Sequence, residues 1–304
     1  RERERERRSS FSMAMASLPL YAYASFPLIL LSFWHAICSS RSYLRSPSLF
    51  HARSWHPFSL LRHGELYTEI LFFVSASIYQ AIAISSLPSG SISQIYAYQY
   101  LFLLSFFTFC LFLTLISESS FSLPLPQAAN FFFLAMAFAL ESFVLYRSAS
   151  DPQLLLERES FHILSTFALF SSIASFLLCW RPHSFLVSMS FSASIFLQGT
   201  WLLQLGFSLF SERFLPQGCH RLSSGITQCD IEAAKDRAVA LMDLLFLFHV
   251  GFAVFVFVVL FGFVSRSGGY RRNGGYEGME LTTGNGESDH LLQMKPSTTK
   301  VVID

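Results

Sequence analysis

The sequence predicts an all-α fold: a polytopic membrane protein of seven transmembrane helices, oriented N-out and C-in, with a disordered C-terminal tail. Three observations carry this expectation. Only 13% of the residues are charged, against about a quarter in an ordinary soluble domain. The apolar residues, 52% of the chain with 35 Phe among them, gather into seven runs. Each run approaches or exceeds the roughly 20 residues a helix needs to cross about 30 Å of hydrocarbon.

The runs follow one another with helix-ending signals between them. Leu20–Cys38 is followed by Arg41 and Arg45, and Leu66–Leu87 stops at Pro88-Ser89-Gly90. Tyr96–Ile116 comes next, and Pro124 and Pro126 precede the fourth run, Ala128–Tyr146, which ends at Arg147. Phe161–Trp180 lies between Arg158 and the Arg181-Pro182 pair, and Phe185–Phe210 precedes Arg213. Val239–Val264 lies between Arg237 and Arg266. Proline, glycine and charge are the expected punctuation of apolar helices. A barrel strand would instead alternate over about ten residues, and in lipid a helix satisfies its own amides. The short Pro88–Ile95 link leaves a re-entrant second and third pair as an alternative, but both runs reach full length. The first run is also readable as a secretory signal peptide. Its apolar part is long for that role, and its charges follow rather than precede it.

Residues 1–12 open with an Arg-Glu alternation, Arg1 to Arg8. A translated GA repeat gives that pattern, so we expect a read-through leader with the protein starting at Met13 or Met15; a solvated charged arm is the alternative. Residues 13–264 then form the seven-helix domain, and residues 265–304 a polar, Gly-rich cytosolic tail expected to be disordered. Without the leader, an external N-terminus puts ten Lys and Arg in the inside segments, Arg41, Arg181 and Arg266 among them. It leaves six outside, including Arg147 and Arg213. The positive-inside rule then favours N-out, C-in.

Composition also excludes. A net charge of +1 gives no electrostatic case for a nucleic-acid partner. Five cysteines in 304 residues do not make a disulfide scaffold. Cys219 and Cys229 share one loop on the expected outer side and either pair there or remain thiols. Cys38, Cys110 and Cys179 read as small apolar residues. No CxxC, HxxxH, Ser/His/Asp set, phosphate loop or nucleotide fingerprint occurs, so we expect no enzyme, no metal and no cofactor.

Ionisable groups in hydrocarbon cost about 3 kcal/mol or more and are functional candidates. The spans hold Glu69, Glu141, Asp243 and His249, with His35 and His162 near helix ends. Glu65 and Glu69 share a helical face. Asp243 and His249 stand about 120° and 9 Å apart, able to line one side of a cavity but not to pair. In the sixth run Gly199 and Gly206, seven apart, offer a flat groove to a neighbouring helix. Gln198, Trp201 and Gln204 form another arc that points into the bundle, as ligand contact or as interhelical glue.

The stretch Leu197-Gln198-Gly199-Thr200-Trp201 with Gln204-Leu205-Gly206-Phe207 resembles the sixth-helix signature of the transmembrane protein 45 family. The plant members form a domain-of-unknown-function group sometimes labelled viral-response proteins. Ser184–Ser188 and Leu215–Cys219 with Cys229 are similar to plant members as well. Trp34-His35, Glu69, Glu141-Ser142-Phe143 and His162 match more weakly. The resemblance spans roughly residues 26–264. It implies a multi-pass membrane protein, without a defined activity, and a link to stress or defence by label. Many members carry a histidine-rich stretch after the fourth helix; here Tyr146, Arg147, Ser148 and Ala149 stand there, and a metal site of that kind is not expected.

In the tail, Tyr276 and Met279 form a tyrosine-xx-bulky pattern, and Glu287 with Leu291 and Leu292 an acidic dileucine one. Both resemble cytosolic sorting signals. The expected partners are therefore the lipid bilayer, other membrane proteins and sorting adaptors. Two functions compete: a membrane scaffold or interaction protein, or a proton-coupled or small-solute transporter using the intramembrane acids. A seven-helix receptor shares only the helix count.

Overall fold

A computed structural model describes residues 18–57, 62–119, 123–148, 155–211, 216–221, 227–229 and 231–267. The leader and the tail signals at Tyr276, Met279, Glu287, Leu291 and Leu292 lie outside the described residues. Among the described residues seven α-helices form the fold: α1 Leu18–Arg45, α2 Gly64–Ser85, α3 Ile92–Ser119, α4 Gln127–Ser148, α5 Leu155–Trp180, α6 Phe185–Phe210 and α7 Glu232–Ser267. All seven are long and apolar enough to cross a membrane. The expected runs sit inside these helices, apart from Ser86 and Leu87 beyond the end of α2, but most of the helices extend further. An apolar run marks where lipid begins, whereas a helix ends only at a breaker. Thus α7 starts seven residues before its apolar run, through Glu232-Ala-Ala-Lys-Asp-Arg-Ala, where Lys235 Nζ donates to Glu232 one turn back (2.8 Å). At 36 residues it is about 54 Å long, well over the hydrocarbon thickness. α2 and α3 are two full-length helices, each long and apolar enough to cross a membrane. Gly90, at φ 74°, turns the chain between them in a left-handed conformation that glycine adopts without steric cost.

One feature departs from the all-α expectation. Between α6 and α7 a small antiparallel hairpin pairs β1 Cys219–Arg221 with β2 Thr227–Cys229, Cys219 opposite Cys229. The two cysteines are joined in a disulfide.

In the bundle α1 packs on α6, α4 on α5, and α5 on α6, while α2 lies against α3 and α3 against α4. A chain of aromatic rings links the helices: Phe73 stacks on Phe107 at 5.0 Å, Phe107 meets Phe138, and Phe138 meets Phe191. A second set joins Phe33, Phe196 and Phe257 of α1, α6 and α7. Small hydroxyls fill the tight approaches. Ser39 bonds Ser188 between α1 and α6, Ser142 bonds Ser165 between α4 and α5, and Ser171 donates to Ser194 between α5 and α6. Lipid tails are as apolar as leucine, so close packing of small residues and cross-helix hydrogen bonds hold such a bundle together. The outer face of α7 carries exposed Leu247, Phe248, Phe255, Val258 and Phe263, a surface suited to lipid.

Candidate functional site

The α1–α2 connection folds back over one end of the bundle. The Ala52 amide donates to the Pro182 carbonyl (2.7 Å), and His183 Nδ1 lies 2.9 Å from the Phe50 carbonyl oxygen. Phe50 is buried against Tyr43 and Phe185, which stack at 4.2 Å. This docking brings Trp55 and His56 onto the start of α2.

Glu65 is the centre of what is assembled there, at 1% exposure. Its Oε2 accepts from Trp34 Nε1 (2.7 Å) and from the His56 backbone N–H (2.8 Å). Its Oε1 accepts from His35 Nε2 at 2.7 Å. Three donors from two elements thus hold a carboxylate that burial alone would make costly. Glu69 follows one turn later on the same face. One ligand-capable atom each from His35, Glu65 and Glu69 lies within 4.8 Å of the others. The His56 ring stands edge-on to His35 at 5.1 Å, and its Nε2 is buried without a hydrogen-bond partner. Burial, reinforced by the neighbouring His35, pushes the His56 imidazole down to about 3, which keeps it neutral.

Among the described residues His35, Glu65 and Glu69 form a group placed so that it could hold a metal ion, with His56 beside it, where the sequence led us to expect none. That expectation rested on local spacing, whereas the ligand types here come from α1, α2 and the loop between them. The sequence held two partial signals: Trp34-His35 ending the first run, and Glu65 and Glu69 on one face. Nothing in the spacing showed that the loop would bring them together.

The predicted α6 residues divide. Gln198, 2% exposed, donates from Nε2 to Ser171 Oγ (2.7 Å), and Trp201 Nε1 donates to the Ser160 carbonyl (2.9 Å). Both therefore tie α6 to α5. Gln204 does not join them: it is half-buried and donates to Ser208 of its own helix, one turn on. Gly199 and Gly206 form the expected groove, and α1 fills it. A Cβ on Gly199 would sit 2.9 Å from Ile29 Cγ1, and one on Gly206 2.7 Å from Tyr21 Cβ.

Asp243 and His249 turn to different surroundings. Asp243 is exposed on the outer face of α7. His249 is half-buried, its Nδ1 2.8 Å from the Leu245 carbonyl oxygen, and its ring meets Trp201 edge-on at 5.1 Å. Over 120° of helix one residue faced the bundle and the other turned outward. Glu141 is half-buried on α4. Near it, Ser142, Tyr146, His162 and Ser165 help line an open groove of about 420 Å³ between α4 and α5, with Tyr146 against His162 at 5.0 Å.

The fold and its buried polar groups define a class: a seven-helix bundle with the dimensions and surface of a multi-pass membrane protein. Within it, a family described as a family of unknown function (DUF716) matches residues 127–262, that is, α4 to the last turns of α7. This is the half of the chain in which the resemblance to the transmembrane protein 45 family is most specific, and the matched family carries no assigned activity. No curated protein matches the chain.

Proposed function

We propose that this chain is a multi-pass integral membrane protein of the endomembrane system or plasma membrane that serves as an interaction scaffold and is not an enzyme. The observation that carries the reading is the use made of the α6 polar groups. Gln198 and Trp201 both donate into α5, and Gly199 and Gly206 seat α1, so α6 joins the bundle together. A bundle braced internally in this way suits a protein that presents its outer faces to membrane partners. The N-terminus is placed outside or in a lumen and the tail in the cytosol. The Lys and Arg excess supports that orientation, as does the Cys219–Cys229 disulfide, which belongs to an oxidising compartment. Sorting adaptors would read the tail at Tyr276–Met279 and Glu287–Leu292. A tie to stress or defence rests on the family resemblance alone.

Native mass spectrometry of the full chain, released from its own membrane in polymer discs, tests the scaffold. Assemblies containing other membrane proteins are expected, and single copies carrying only lipid would contradict the reading.

A second reading, proton or small-solute transport, draws on Glu69 and Glu141. These two acids sit within the spans and accept no hydrogen bond among the described residues, unlike Glu65.

A further inference from the structure

We infer that His35, Glu65 and Glu69, completed by His56, form a binding site for one divalent transition-metal cation between α1 and α2. The inference is independent of the scaffold reading. Its geometric basis is the convergence of one imidazole nitrogen and two carboxylates within 4.8 Å. Ligands around a tetrahedral zinc stand about 3.3 Å apart at metal–ligand distances near 2 Å. Small rotations of Glu69 and a slight opening of the His35–Glu65 contact would reach that spacing.

The surroundings favour a cation. Glu65, buried, and Glu69, half-buried, bring two carboxylates together, and among the described residues the sole ion-pair partner of either is His35. A divalent ion would neutralise both at once, where an uncompensated buried charge is costly. The Glu65 carboxylate is already oriented from behind, with Oε2 fixed by Trp34 Nε1 and the His56 amide while Oε1 faces His35. Hydrogen bonds of this kind to a ligand raise metal affinity and set its direction. His56 adds an independent sign: it is 8% exposed, packs against His35, and leaves its Nε2 without a partner. That nitrogen stands outside the group of three and would join it as a fourth ligand only if the ring turned toward them.

Binding at His35 Nε2 would displace the N–H that faces Glu65 Oε1: a neutral imidazole would carry that proton on Nδ1 instead, and an imidazolium would release one proton to solvent. The mixed nitrogen and oxygen set suits zinc, manganese or ferrous iron better than calcium or magnesium, which prefer all-oxygen shells.

The test uses the full chain in lipid nanodiscs, stripped with a chelator and then equilibrated with zinc chloride. One zinc per chain is expected, with a rise in melting temperature on loading. Cobalt in its place should give visible absorption bands of a four- or five-coordinate site. Glu69→Gln decides the matter, because Glu69 takes no part in the hydrogen bonds around Glu65 and its loss should leave the fold intact. That variant should bind zinc roughly tenfold or more weakly. His35→Asn should abolish binding. Zinc no higher than background on the wild-type chain would overturn the inference whatever the variants do. So would Glu69→Gln binding as tightly as wild type, which would leave the cluster a hydrogen-bonded staple.

Discussion

Gln198 Nε2 donates to Ser171, and Ser171 in turn donates to Ser194 on the same helix as Gln198. This closed circuit makes an amide tolerable in an apolar bundle, where an unsatisfied polar group is expensive. Gln198→Leu should lower stability by about 1 kcal/mol, the scale of interhelical hydrogen bonds measured in membranes. Thermal melts of the purified variant in nanodiscs would check it. That Gln198 and Trp201 face the interior was legible, because two polar groups on one arc of an apolar helix need partners. Their partners were not: Ser171 and the Ser160 carbonyl are ordinary residues of another helix, and nothing in α6 names them. Glu65 makes the same point more sharply, since its donors lie 31 and 30 residues upstream at Trp34 and His35, and 9 upstream at His56.

At the scale of elements, glycine spacing carries real information. Gly199 and Gly206 fall on one stripe by the helical repeat, so the groove was readable, and α1 occupies it with Ile29 and Tyr21. Gly251 and Gly262 of α7 have nothing within 4 Å of a built Cβ. The two kinds of glycine should therefore respond in opposite ways. Gly199→Ala forces its methyl against Ile29, backbone included, and should destabilise by about 1–3 kcal/mol. Gly251→Ala meets open space and should be neutral or stabilising by up to about 1 kcal/mol through helix propensity. Side-by-side melts of the two variants separate packing from propensity. Helix existence was readable from the apolar runs. Helix ends were not, because α7 continues through charged residues that are good helix formers.

For the whole molecule, seven helices long and apolar enough to cross a membrane were legible from composition, since so much clustered apolar surface has few other places to go. Orientation depends on only ten positive residues against six, and the hairpin between α6 and α7 adds a chemical marker to that count. An N-glycosylation acceptor inserted next to Cys229 should be modified when the chain is made in microsomes. The same acceptor placed after Ser267 should not be. The opposite pattern would invert the topology and put the disulfide on the reducing side. The loop docking that builds the His35–Glu65 cluster belongs to this scale as well. It rests on the α5–α6 turn, where the Pro182 carbonyl and His183 meet the α1–α2 loop.

The central claim, that the bundle's buried polar groups brace a scaffold rather than carry a substrate, is tested most directly by flux. The full chain is reconstituted into liposomes with an internal pH dye, and a pH step is applied with and without a panel of small solutes. The scaffold account predicts traces matching protein-free liposomes, for wild type and for Glu141→Gln alike. A pH-driven flux present in wild type and lost in Glu141→Gln, with the variant's melt unchanged, would contradict it and establish transport.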